Sequence, residues 1–233
     1  MANQLQGLIS DIYLTQNSLL AGMFFPYHSM KESKSNNQNE DYYLNSDLNI
    51  IYVHNPKTAG TSIKKFLGLD ISGTNHKTPT YLTSKRNWQN NFSVLSVRHP
   101  IDRLISSYYY HISPQYKGGY LKKFPNLLTF SFEMYFEVMK KEPWAIRPQV
   151  DYLTHLFSPK KVDFIIRFEE LHADLNKLSK TLGLGSVSIP HLNSTKRVNN
   201  ENYFLESKSL VKKINAFYKK DFEVFGYEPT QLI

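Results

Sequence analysis

The 233-residue sequence contains no cysteine. It therefore folds without disulfides, offers no thiolate to a metal and has no cysteine nucleophile. It is also short of acid: 28 Lys and Arg face 20 Asp and Glu, a formal net charge of +8. Excess positive charge favours anionic partners such as nucleotides, acidic polysaccharides, nucleic acid or anionic membrane. Long apolar runs are missing. The most apolar part of the N-terminal region, Leu19 to Pro26, is too short to span a bilayer. Residues 1–30 have no positive segment of the secretory kind, and Lys31 is the first Lys or Arg. The expectation is a cytoplasmic protein. The alternative is a membrane-associated or Golgi-type lumenal catalytic domain. No internal repeat is present. A chain of this length suits one domain with a sizeable core.

What is present is organised around Asn49 to Leu67. Asn49 to His54 is a short apolar, β-rich run and reads as a buried parallel strand. Pro56 and Gly60 punctuate a turn. Thr61 or Ser62 is the expected cap of a helix with Ile63, Phe66 and Leu67 on one face. Such a strand, turn and helix make an anion site. Turn N–H groups and the helix N-terminus converge, Lys57 adds a full charge, and Thr58, Thr61 and Ser62 add hydroxyls.

The loop is not a Walker A motif, in which lysine directly precedes the hydroxyl residue. Here Lys57 precedes the turn and Gly60 follows it. The order Pro56-Lys57-Thr58-Ala59-Gly60-Thr61-Ser62 resembles the 5′-phosphosulfate loop of sulfotransferases that use 3′-phosphoadenosine 5′-phosphosulfate (PAPS). Ala59 replaces a frequent glycine of that loop.

The polar stretch Ser29 to Asp47 reads as an exposed loop, preceded by a helix carrying Leu5, Leu8, Ile9 and Ile12. The expected organisation is an N-terminal segment, 1–47, and a catalytic domain, 48–233. Beyond the phosphate loop, Gly73 to Pro79 is an irregular segment containing His76. A second buried strand, Phe92 to Val97, ends in Arg98-His99-Pro100 and enters an amphipathic helix carrying Ile101, Leu104, Ile105, Tyr108 and Ile112. Strand, helix, strand and helix in succession predict an α/β fold: a parallel sheet with ligands at the strands' C-terminal ends. Residues 113–126 form a Gly/Pro/Lys-rich loop. Helices are expected over 131–141 and 149–156, a third strand over 162–168, a helix from Leu171 ended by Gly183, and a last helix over 201–222.

Arg98 and Ser106, eight positions apart, stand where an arginine fork and a hydroxyl can hold a second phosphate. The segment from Arg98 to Tyr109 looks like the 3′-phosphate-binding motif of the same sulfotransferases. With weaker echoes at Gln149 to Leu153, Phe164 to Leu171, Ile189 to Asn193 and Asp221 to Tyr227, the resemblance covers about residues 48–227. It points to the heparan 2-O-sulfotransferase-like branch, which acts mainly on carbohydrates and has bacterial members. It implies a three-layer P-loop-like fold, PAPS as co-substrate without a metal, and a hydroxyl acceptor on a glycan or small molecule. No nucleic-acid partner and no transmembrane segment are expected. The oligomeric state is open. The resemblance also brings Ser194 and Arg197, in a late polar turn, toward the nucleotide end.

Sulfuryl transfer needs a base for the acceptor proton and positive charge for the departing phosphate. Lys57 suits the second task. His76 is the first choice for the base, with Glu169 and His111 as alternatives. His54 can merely end a strand, His99 can point away, and Glu169 can be a structural carboxylate. Lys117, Lys122 and Lys123 could meet an acidic glycan. Two other classes compete: a nucleotide kinase on a related sheet, for which the altered loop and the arginine ending the second strand are unfavourable, and a non-catalytic polyanion-binding module.

Overall fold

Four strands make one sheet in the order β1-β2-β3-β4: β1 (Leu44–Asn45), β2 (Ile50–Val53), β3 (Phe92–Val97) and β4 (Phe164–Arg167). The structure, a computed structural model, describes residues 37–73, 75–142, 144–184 and 207–231. All elements named here lie in the compact unit Asn39–Ile233. β2, β3 and β4 run parallel, with Ile50 opposite Phe92 and Val97 opposite Arg167. Parallel strands are covered on both faces, and all of Ile50–Val53 is buried accordingly.

Helices flank the sheet, as an α/β fold requires. Between β2 and β3 lie α1 (Gly60–Phe66), α2 (Pro79–Leu82) and α3 (Lys85–Asn90). Between β3 and β4 come α4 (Pro100–His111), α5 (Tyr120–Lys123) and α6 (Phe132–Met139). After β4 follow α7 (Leu171–Thr181), α8 (Lys208–Phe217) and α9 (Lys219–Phe225). Ile63 and Leu67 from the α1 segment and Leu175 and Leu178 of α7 join Ile50, Val94 and Ile166 in one buried cluster. A second cluster combines Ile101, Leu104, Ile105 and Tyr108 of α4 with Phe132, Tyr135 and Phe136 of α6 and with Leu210, Ile214 and Phe222. The apolar spacing of α4 is that of a helix with one buried stripe, and Pro100 occupies its first turn.

The sheet positions the site. β2 and β3 are parallel neighbours, so the segments leaving Val53 and Val97 emerge at the same edge.

Several expectations are corrected. Leu44–Asn45, expected in an exposed loop, pairs antiparallel with β2. Tyr43 is buried beside it, and its carbonyl accepts the Tyr52 N–H at 2.7 Å. Burying that ring holds the segment against the sheet edge. The helix expected over 149–156 is instead a 3-10 turn, Gln149–Tyr152. Part of the loop 113–126 is helical as α5. The last helix breaks at Tyr218, whose hydroxyl donates to the Ile146 carbonyl at 2.8 Å and whose ring is fully buried. The expected helix near Leu5 and the start of the last helix, residues 201–206, lie outside the described residues. Among the described residues, no helix is long and apolar enough to cross a membrane.

Candidate active site

The loop between β2 and α1 is wound by two left-handed residues, Lys57 at φ 66° and Ala59 at φ 65°. This brings the helix start forward. Ala59 is the N-cap, without a side-chain bond, and Thr61 and Ser62 already lie inside α1. The expected hydroxyl cap is thereby corrected. Ala59 and Lys57 are partly exposed, Thr61 is exposed, and Ser62 is buried. Gly60 leaves no room for a side chain: a Cβ there would stand 1.7 Å from His54 Nε2. The Thr58 hydroxyl turns inward, donating to the Asn55 carbonyl at 2.7 Å and meeting Ser96 Oγ at 2.6 Å. Ser96 Oγ also meets the Tyr52 hydroxyl at 2.7 Å. Thr58 thus ties the loop to β3 with its side chain and leaves ligand contact to the loop backbone, where successive N–H groups of such turns make anion-binding concavities.

Arg98 leaves the end of β3 almost buried, its guanidinium stacked 4.1 Å from the centre of the Phe168 ring. Its Nη1 donates to the Lys57 carbonyl at 3.4 Å. The two motifs, 41 positions apart, are in contact. Burial, then the charge of Arg98, lowers the Lys57 pKa from its ordinary value. Ser106 stands partly exposed in the second turn of α4, the helix that begins just after Arg98.

The backbone of Arg98 is clamped by one side chain. Gln149 Oε1 accepts the Arg98 N–H at 3.0 Å, and Gln149 Nε2 donates to the Arg98 carbonyl at 2.7 Å. The same Oε1 accepts from Asn55 Nδ2 at 2.9 Å, which joins the ends of β2 and β3. Beneath the clamp, Asp221 of α9 accepts the N–H groups of Gln149 and Val150 at 2.8 and 3.0 Å. Burial, opposed by Arg103 and those amides, raises the Asp221 pKa to about 6. Sequence reasoning saw Gln149 only as a faint echo and missed Asn55. Asp221 carried one readable signal, a carboxylate among the apolar residues Tyr218, Phe222 and Phe225.

His76 lies on the loop between α1 and α2. Lys64 Nζ donates to the Gly73 carbonyl at 2.7 Å, and the Tyr152 hydroxyl donates to the His76 carbonyl at 3.2 Å. His76 Nδ1 stands 3.1 Å from the His54 carbonyl. A carbonyl only accepts, so Nδ1 carries the hydrogen and Nε2 of the neutral ring keeps its lone pair. Burial lowers the His76 pKa, the bond to His54 raises it, and Lys57 and Lys64 lower it further. The ring sits edge-on to that of His54, with centroids 4.4 Å apart. His54 is itself held neutral by burial and by the charges around it.

The other candidates separate clearly. His99 Nε2 meets the Glu228 carbonyl at 3.1 Å, with the ring against Phe222 and Tyr227. Glu169 accepts the His99 N–H at 2.7 Å and the Tyr227 hydroxyl at 2.9 Å, so both its oxygens are engaged in the fold. His111 is buried with Nδ1 2.6 Å from the Tyr135 hydroxyl, and its pKa falls to about 4 through burial and the charges of Lys57 and His76. Lys123 pairs with Glu142 at 2.7 Å. Ser194 and Arg197 lie outside the described residues. Among the described residues, no group of three or more His, Asp and Glu side chains could hold a metal.

A family model described as "Sulfotransferase family" matches residues 40–228, and the chain belongs to that family. No curated protein and no solved structure matches the chain itself.

Proposed function

We propose that this sulfotransferase-family chain moves the sulfuryl group of PAPS to an acceptor hydroxyl by in-line displacement, without a metal. The observation that carries the reading is the meeting of Lys57 and Arg98. The buried Arg98 donates to the backbone of the partly exposed Lys57 at adjacent strand ends, and burial, then the Arg98 charge, lowers the Lys57 pKa. Positive charge from two neighbouring motifs favours an anion beside them. A nucleotide with a phosphate at each end of its ribose fits two such positions.

The roles follow from the placement. The loop backbone from Lys57 to Ser62 cradles the 5′-phosphosulfate. Arg98 and Ser106 take the 3′-phosphate, and Ser194 and Arg197 take part at the nucleotide end. His76 Nε2 receives the acceptor proton as the acceptor oxygen bonds to sulfur. The bond from sulfur to the 5′-phosphate oxygen breaks, and the Lys57 ammonium balances the charge that develops there. The products are a sulfate ester and 3′-phosphoadenosine 5′-phosphate. By resemblance, the acceptor hydroxyl belongs to a carbohydrate.

The test is calorimetric titration of PAPS and of adenosine 5′-phosphosulfate, which lacks the 3′-phosphate, into wild type and Arg98→Ala. Arg98→Ala is expected to weaken PAPS by about 2 kcal/mol and the shorter ligand much less. Equal losses would mean that Arg98 supports the fold and reads no phosphate.

A further inference from the structure

The backbone of Lys57 is fixed by the loop, with φ at 66° and its carbonyl accepting Arg98 Nη1 at 3.4 Å. Its ammonium sits at the end of a long, freely rotating stem that is costly to order. The stem ends on an aromatic ring. Lys57 Nζ stands 4.2 Å from the centre of the Tyr110 ring. A ring face carries partial negative charge and attracts an ammonium placed over it.

The ring is itself held in place. Tyr110 is the last residue but one of α4. After the turn that follows, the buried Tyr116 meets it edge-on, with centroids 5.3 Å apart. The Tyr116 N–H donates to the Ser113 carbonyl at 2.9 Å, which closes that turn. Gly118 leaves room for the Tyr116 ring, since a Cβ there would stand 2.3 Å from the hydroxyl.

The other groups around Lys57 do not favour its charge. Burial, then Arg98, push it toward the neutral form. His54 at the end of β2, His76 on its loop and His111 of α4 all feel the lysine's charge, and each is shifted toward its own neutral form. Among the described residues, no carboxylate pairs with Lys57. The face of Tyr110 is therefore the contact that favours the ammonium.

We infer that Tyr110 is a positioning residue for Lys57: its ring face holds the ammonium charged and in place at the phosphate loop, so that the 5′ end of the nucleotide meets a cation already set. This rests on the sulfuryl-transfer reading, in which that ammonium balances the departing phosphate.

The experiment reads the protonation of Lys57 directly. Wild type, Tyr110→Phe and Tyr110→Leu are prepared with isotope-labelled lysine. The Lys57 side-chain resonance is assigned by its loss in Lys57→Met and followed over the alkaline range in the free protein. The first three proteins are also titrated calorimetrically with PAPS and with adenosine 5′-phosphosulfate at neutral pH. Tyr110→Leu should lower the Lys57 pKa by about half a unit or more, the scale of a lost cation–π contact. It should weaken both ligands alike, by about threefold, because Lys57 serves the 5′ end they share. Tyr110→Phe should match wild type in both measurements, since it keeps the face and lacks only the hydroxyl. An unchanged Lys57 pKa in Tyr110→Leu overturns the inference, and so does a Tyr110→Phe as impaired as Tyr110→Leu. A loss confined to PAPS overturns it too, because Tyr110 would then act on the 3′ end beside Ser106, one turn earlier on α4. Tighter binding in Tyr110→Leu would mean that the ring draws the ammonium away from the ligand, which also overturns it. Each of these leaves wild-type binding intact and the sulfuryl-transfer reading standing. A wild type that binds neither ligand overturns both.

Discussion

His76 donates its Nδ1 hydrogen to the His54 carbonyl, and that single bond fixes which nitrogen can act as a base. A histidine base must be neutral to work. Burial holds the His76 pKa below its ordinary 6.5, so the working form dominates at neutral pH. Lys57 must be protonated to stabilise the leaving phosphate, and its pKa is lowered from 10.5. Turnover should therefore rise with pH through a value below 6.5, hold across neutrality, and fall at a value below 10.5. His76→Ala should cut turnover by roughly 10²-fold and remove the acid limb, with PAPS affinity nearly unchanged. Single-turnover transfer across pH, beside calorimetry, checks this; a variant that keeps the acid limb would exclude His76 as the base. The sequence placed His76 in an irregular segment, and it lies on the loop between α1 and α2. It could not give the tautomer, because the deciding carbonyl is 22 residues away and reaches the ring only through the fold.

At the scale of elements, the three parallel strands and the turn between β2 and α1 were legible, and β1 and what holds the strand ends together were not. β3 and α4 stand out in the sequence because local patterning decides them: a β-rich apolar run and a 3.6-residue stripe after a proline. The hidden part is the turn Gln149–Tyr152. Its shape comes from Asp221, 72 positions away, and its role lies in a side chain that grips the Arg98 backbone. Gln149→Ala would leave a buried N–H and C=O of Arg98 without those partners, at about 1–3 kcal/mol each. It should lower the melting temperature and weaken PAPS more than adenosine 5′-phosphosulfate. A melting shift alone, with both affinities intact, would show that the clamp serves stability only. Asp221 adds a pH signature. Its folded pKa, about 6, exceeds the ordinary 3.8, so its proton is held more tightly in the folded state. The stability it contributes is full below 3.8 and is lost as pH rises to about 6. Asp221→Asn lacks that slope, so denaturation across this window should show wild type gaining on the variant as pH falls.

The loop's own backbone is another element-scale matter. Ala59 sits at φ 65°, where a Cβ is disfavoured. Ala59→Gly relieves that strain, and the added freedom of the unfolded chain offsets part of it, so a gain of about 0.5–1 kcal/mol is expected. Gly60→Ala should do the reverse, because its Cβ would meet the His54 ring and drive it from its place between Tyr52 and His76. Thermal melts of the pair check the signs. The Pro56–Ser62 pattern predicts a tight turn entering a helix, and the fold has that turn. It did not show which residue caps α1, since the two left-handed residues move the helix start ahead of the hydroxyls.

For the whole molecule, the net charge of +8 and the two-cation site make different claims about salt. A basic surface attracts any polyanion, and that attraction is screened alike whatever the ligand's shape. A built pair of phosphate positions distinguishes ligands by where their charges fall. The 3′-phosphate adds about 1.5–2 negative charges to PAPS over adenosine 5′-phosphosulfate. If Arg98 meets that group, the logarithm of the dissociation constant should climb more steeply with the logarithm of salt for PAPS than for the shorter ligand. Arg98→Ala should bring the two slopes together by flattening the PAPS line, because the lost contact is the one the extra charges made. Lys57→Ala should flatten both lines, since the 5′ end is common to the two ligands. Calorimetric titrations of both ligands between 50 and 300 mM NaCl, at about three concentrations, suffice to read the slopes. Parallel slopes in wild type would leave only a general basic attraction, the behaviour of a polyanion-binding surface, and would remove the two-phosphate site on which the catalytic reading stands.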